Sequence, residues 1–292
     1  LTEGLRSAAS GRAANVKVSF KTGVHDGPWE KTLAVWRAGD EIERFVGGWV
    51  NDHLYNPFYP SHSDSPWAFD SFTLLAGLAR ETTRLRLGTM VAANLMRHPA
   101  VVARMAVTID HLSAGRFELG LGTGWHEREH SDFGFDLLSV GGRVTAFEEA
   151  CQVITSLLND EETTFAGEYY RLEAARAEPK PAQPRIPIVI GASGEQRMLR
   201  IVARYADHWN IDDPGPEGLA HKIAVLERYC AEIGRDPGEI EYSVQFWVDE
   251  SVDGIRERVL SAREAGAEHA VVSLRSPDVA VLHALAEALT EV

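Results

Sequence analysis

The 292-residue chain is poor in cysteine, poor in positive charge and without a long hydrophobic run. Its two cysteines, Cys151 and Cys230, cannot build a disulfide framework and share no metal-ligand spacing. Both fall in helix-like sequence and read as buried thiols of a reducing compartment. No stretch approaches the roughly 18 to 20 uninterrupted apolar residues of a membrane span. The opening residues, LTEGLRSAASGRAAN, lack the apolar centre of a secretory signal, so 1–15 reads as a flexible N-terminal arm. Only 29 Lys and Arg stand against 43 Asp and Glu, a net charge of −14. That balance argues against a nucleic-acid partner or an anionic membrane surface. An anionic small molecule is still admissible, because a few local arginines can outweigh the global field. The expectation is a cytoplasmic protein acting on a small molecule.

What the chain does have is regular alternation. Eight short apolar or alternating runs occur: VKVSFKT (16–22), GGWVND (47–52), RLRLGTMVA (84–92), RFELGLG (116–122), RIPIVIGA (185–192), HWNI (208–211), EYSVQFWV (241–248) and HAVVSLR (269–275). Helix-period stretches follow them near 29–44, 68–81, 100–112, 143–158, 194–205, 217–233, 254–265 and 278–289. Strands alternating with helices imply a parallel sheet, and eight units over roughly 250 residues is the (β/α)8 TIM barrel. The reading is therefore one α/β domain over 1–292. One insertion, 159–184, interrupts it between units four and five. It contains TTFAGEYYRL, which reads as a hairpin around Ala166-Gly167 near the barrel mouth.

In such a barrel the active site lies at the C-terminal strand ends. Two motifs fall there. GLGTGWHEREH (120–130) joins a glycine run, Gly120, Gly122 and Gly124, to a literal H-E-x-x-H, His126 to His130. The second is a zinc-hydrolase signature when it sits on a helix anchored by apolar flanks. Here the flanks, GTGW and SDFGFD, read as loop and turn, so the segment is expected to be a polar loop with solvated imidazoles and no metal site. The glycines either form a tight turn or let a flat or anionic ligand approach the backbone. After RIPIVI, Ser193 and Gln196 form a capping box that would start a helix at the strand end and offer free N–H groups to an anion.

Four segments, 87–116, 110–137, 164–181 and 186–210, resemble the luciferase-like monooxygenase superfamily, particularly its coenzyme F420-dependent oxidoreductases. The resemblance implies the same (β/α)8 barrel and a homodimer. It implies a hydride transferred between the deazaflavin C5 and a small organic substrate. The rival within the fold is an FMN-dependent monooxygenase using O2; GLGTGW looks more like the F420 branch. By the same resemblance, Asp52 contacts the ring and His53 is the proton donor, a role suited to a side chain that titrates near neutral pH. Met90-Val91 matches a non-prolyl cis peptide behind the ring. Gly122, Thr123 and Gly124, with Gly191, Ala192, Ser193, Gly194 and Gln196, match loops near the ribityl phosphate. Asn94, Arg97 and His98 fall beside the same cofactor, with Arg97 and His98 either meeting its anionic end or simply starting the third helix. Trp125, His126 and Glu129 would line the substrate side. Two departures stand out. Trp125 occupies a position where several members carry a catalytic Glu, and the opening loop KTGVHDGPWE lacks the usual Pro-Gln pair.

Overall fold

The computed structural model describes residues 15–25, 27–57, 65–248, 251–275 and 277–292. In chain order the elements are β1 (Lys17–Thr22), α1 (Trp29–Glu41), β2 (Phe45–Val50), α2 (Ser71–Glu81), β3 (Arg86–Thr89), β4 (Ala92–Ala93), α3 (Pro99–Leu112), β5 (Phe117–Gly122), α4 (Glu127–Phe133) and α5 (Val140–Asn159). There follow β6 (Thr163–Ala166), β7 (Arg171–Ala175), β8 (Ile188–Gly191), α6 (Met198–Tyr205), β9 (His208–Asp212), α7 (Gly215–Glu232), β10 (Glu241–Val248), α8 (Ile255–Glu264), β11 (His269–Leu274) and α9 (Val279–Ala288).

Pairing is parallel throughout the main sheet, in the order β3, β2, β1, β11, β10, β9, β8, β5, and the ring closes where Leu87 of β3 pairs with Phe117 of β5. β4 continues β3 across a short break and pairs with the end of β5. The result is the eight-stranded barrel that the strand count implies, with helices packed outside. Strand periodicity sorts the side chains. In β1, Val18, Phe20 and Thr22 face the helices, where Phe20 makes edge-to-face contacts with Trp36 and Phe45 at 5.4 Å and Thr22 Oγ1 accepts from Trp36 Nε1. Lys17, Ser19 and Lys21 alternate with them and face the barrel interior, which is polar at both ends. Among the described residues, no helix is long and apolar enough to cross a membrane.

Two local expectations are corrected. The H-E-x-x-H segment is a helix, α4, because His126 caps it, its Nδ1 accepting from Glu129 N at 3.1 Å, and Gly134 closes it at φ 75°. Seven residues are too few to show a helical period. The Ser193–Gln196 capping box does not form: α6 begins at Met198 and Arg197 makes no side-chain cap bond. Lys222 explains this, since its Nζ donates to Ser193 O and to the Glu195 carboxylate and draws residues 193–195 onto α7. The insertion contains the antiparallel β6–β7 hairpin, which packs beside α5 and whose tip reaches Asn94 and His98 through Tyr170. Glu149 of α5 accepts from the backbone N–H groups of Glu168, Tyr169 and Tyr170, and buried Asp110 of α3 accepts from those of Ala182 and Gln183.

Candidate active site

A cavity of about 600 Å³ opens at the C-terminal ends of the strands, the position that the fold reserves for chemistry. Met90, Val91, Ala92 and Met96 give it one apolar wall. Polar groups enter from β1, β2, β9 and β10: Lys21, Asn51, Asn210 and Gln245. Trp125 and His126 form part of the rim, and Trp125, 66% exposed, serves the wall of the cavity rather than the core.

The strongest polar arrangement joins β2 to α4. His53 Nδ1 lies 3.0 Å from Glu129 Oε2, and Glu129 Oε1 accepts from Leu54 N. Glu129 is 1% exposed and His53 half-buried. Burial alone would raise the Glu129 carboxyl; the hydrogen bond and charge of His53, with the Leu54 N–H, outweigh it and hold the group below its ordinary range. An ionised Glu129 fixes a proton on His53 Nδ1, which leaves Nε2 as the nitrogen that can exchange a proton in the cavity. Trp125 and His126 pack edge-on against the same imidazole at 6.1 and 6.0 Å between centroids. Glu129 thus brings a carboxylate to the histidine one helical turn after Trp125. Of the neighbouring histidines, His126 is half-buried and His130 is buried, with Nδ1 against His126 O at 3.1 Å.

The Met90–Val91 peptide bond is cis, as the resemblance implies. Of the glycines around it, Gly122 and Gly191 line the cavity, and they and Gly120 also pack tightly against protein. A Cβ on Gly122 would stand 2.6 Å from Val91 Cγ2, one on Gly191 3.1 Å from the same side chain, and one on Gly120 would collide with Thr89 O. Gly124 is different: its φ of 76° is a conformation that L side chains rarely adopt. Thr123, Gly124, Ala192 and Ser193 complete that side of the cavity, with Lys222 beside them.

Several expected site residues are drawn elsewhere. Asp52 lines the cavity, yet both its oxygens are committed, Oδ1 to Ser71 Oγ and Oδ2 to Ala93 N and Arg97 Nη1. Arg97 bridges Asp52 and Asp70, so its charge is spent inside the protein. His98 caps α3 through Nδ1 and packs on Tyr170, and Asn94 donates to Tyr170 Oη. Asn94, Arg97, His98, Gly194 and Gln196 are not among the lining residues, and neither is any part of 159–184. Conversely, Lys21 and Gln245 were not singled out from the sequence. Lys21 Nζ donates to Gln245 Oε1 at 2.8 Å, and Gln245 Nε2 donates to Asp212 Oδ1 at 2.7 Å. Burial pulls the Lys21 ammonium down to about 8, against the opposing pull of Asp212. Both residues sit inside strands rather than after them, but their inward parity was readable. Asp26, residues 58–64 and Asp249, which also follow strand ends, lie outside the described residues.

A sequence-family profile described as luciferase-like monooxygenase matches residues 21–290. The pyrimidine monooxygenase RutA of Escherichia coli (strain SMS-3-5 / SECEC) is 34% identical over 213 residues, 70% of this chain and 56% of that protein. An uncharacterized protein of Mycobacterium tuberculosis (strain CDC 1551 / Oshkosh) is 34% identical over 167 residues, 57% of this chain and 58% of its own. The matches therefore span little more than half the length of these curated relatives. Among solved structures, an F420-dependent secondary alcohol dehydrogenase in complex with an F420-acetone adduct superposes with a TM-score of 0.84 at 19% identity, covering 95% of this chain and 99% of that one. The monooxygenase RslO1 from Streptomyces bottropensis gives 0.77 at 17% identity, covering 93% and 98%. At such identities the likeness speaks for the fold.

Proposed function

Because the chain belongs to the luciferase-like monooxygenase family of oxidoreductases, we propose that it is a coenzyme F420-dependent oxidoreductase acting on a small organic substrate. The observation that carries this reading is the His53–Glu129 pair on the wall of the mouth cavity. The residues present suit a planar ring with one polar edge. Met90, Val91 and Ala92 offer an apolar face, and Lys21, Asn51 and Gln245 offer amine and amide groups. When bound, the deazaflavin supplies hydride chemistry at C5. The chain's own part is positioning and one proton transfer. His53 holds or gives that proton at Nε2, Glu129 fixes its tautomer, and Trp125 with His126 shields the imidazole from water. Thr123, Gly124, Ser193 and Lys222 would hold the cofactor's phosphate end.

A second reading, an FMN-dependent monooxygenase, is favoured by the 34% identity to pyrimidine monooxygenases. The two are separated by fluorescence titration with oxidised F420 and, in parallel, with FMN. Preferential F420 binding, retained in His53→Ala while turnover is lost, is the expected result. Preference for FMN would move the protein to the monooxygenase reading, and binding of neither would remove the cavity assignment altogether.

A further inference from the structure

The barrel interior carries a second polar cluster at the opposite end, on the N-terminal residues of the strands. His208 opens β9, Glu241 opens β10 and His269 opens β11, and one ligand atom from each lies within 4.8 Å of the others. The two imidazoles stack at 5.3 Å with 20° between their planes. None of the three lines the mouth cavity.

The partners sort into an inner and an outer set. His208 Nε2 meets Ser243 Oγ at 2.6 Å and His269 Nε2 meets Ser19 Oγ at 2.8 Å. Ser243 Oγ also accepts from Asn210 Nδ2 and donates to Trp209 O. With the single hydroxyl proton so placed, His208 Nε2 is the donor, and its Nδ1 is turned toward Glu118. That nitrogen stands 3.7 Å from Glu118 Oε2. Each glutamate is divided in the same way. Glu241 gives Oε2 to Lys17 and turns Oε1 to His269 Nδ1 at 2.6 Å, while Glu118 gives Oε1 to Arg86 and turns Oε2 to His208. Hydroxyls on the far ring nitrogens and cations on the far carboxylate oxygens are the supporting partners that metal ligands have.

We propose that His208, Glu241 and His269 bind a divalent transition ion of the zinc class at the barrel floor, with Glu118 facing its remaining side. Two imidazoles and a carboxylate form a recognised zinc ligand set. Around a tetrahedral ion with bonds of about 2.0 to 2.1 Å the donor atoms stand roughly 3.3 Å apart, between the 2.6 Å of the His269–Glu241 pair and the 4.8 Å within which all three ligand atoms fall. Glu241 is partly exposed, which gives the ion a route in. The role is structural: the ion would tie β9, β10 and β11 together at the end of the barrel away from the chemistry. The H-E-x-x-H of the sequence takes no part, since His126 Nδ1 already caps α4.

The test is titration of chelator-stripped protein with Co2+, followed by its visible absorption and by competition with Zn2+. The expected result is one tetrahedral Co2+ per chain, displaced by Zn2+. Binding should weaken at least about tenfold in Glu241→Gln and His269→Gln and stay unchanged in His126→Gln. Circular dichroism identifies any variant that does not fold, and Glu241→Gln, which keeps the side chain's shape, is the one least prone to that. Absence of a cobalt band in the wild-type protein at excess metal would overturn the proposal. So would binding that survives in both folded floor variants, or that is lost only in His126→Gln.

Discussion

Glu129 lines the cavity at only 1% exposure and spends its carboxylate on His53 and the Leu54 N–H, so its removal should read as a positioning defect. Glu129→Gln keeps an acceptor for His53 Nδ1 but removes the charge that holds the ring in one tautomer. The expected outcome is a loss of about 10- to 100-fold in kcat with KM and cofactor affinity nearly unchanged, measured by steady-state kinetics beside a binding titration. An equal rise in KM would instead make Glu129 part of the binding surface. Lys21 is the second residue whose environment dictates a measurable sign. Its ammonium is depressed to about 8 in the folded protein, so folded and unfolded chains differ in protonation only above that pH. Below about pH 8 the burial penalty is fully present; it fades as pH rises toward the ordinary lysine value of about 10.4. Wild-type stability relative to Lys21→Met should therefore increase by roughly 2 kcal/mol between pH 8 and pH 9.5, read by urea unfolding at each pH. A difference that stays flat across that window would show the amine to be solvated.

At the scale of elements, the glycines of β5 and β8 and the Val91 side chain form one packing unit. Gly122→Ala puts a methyl group 2.6 Å from Val91 Cγ2, and the expected destabilisation is about 1–3 kcal/mol. Val91→Ala removes the atom it meets, so the double variant should recover much of that loss in denaturant unfolding, a coupling that an independent pair would not show. These glycines also mark where the sequence was legible and where it was not. Eight strands and their helices could be counted because each buried strand is a distinct apolar run. The glycine run could be placed at a strand end. Its purpose was not readable, because the atom it accommodates belongs to Val91, about thirty residues earlier in the chain. α4 was hidden for a different reason: it is held by a histidine cap and a terminal glycine, not by an apolar stripe. The capping box at Ser193 was locally sound but lost to Lys222, a residue on another helix. Lys21 and Gln245 carried a readable signal, a polar side chain at every second position of a strand whose other face is apolar.

The whole molecule divides into a mouth that binds, a floor that holds polar groups together, and an outer jacket in which the insertion lies. Asp110 is the fastening of that jacket. It is buried, its Oδ2 accepts from the backbone of Ala182 and Gln183, and its Oδ1 accepts from Gln183 Nε2 at 2.6 Å. Asp110→Ala leaves three donors without their partner and frees the return of the insertion from α3. A loss of about 1–3 kcal/mol is expected from removing hydrogen bonds to a buried carboxylate. Because no residue of 159–184 lines the cavity, the loss should appear in unfolding and in hydrogen exchange across 171–185, while the affinity for the cavity's ligand stays within about twofold. A variant that unfolds no more easily than the wild type but binds its ligand several-fold more weakly would join the jacket to the mouth. The path then open to it is the contact between Tyr170 and Asn94, which ties the hairpin to the segment following β4.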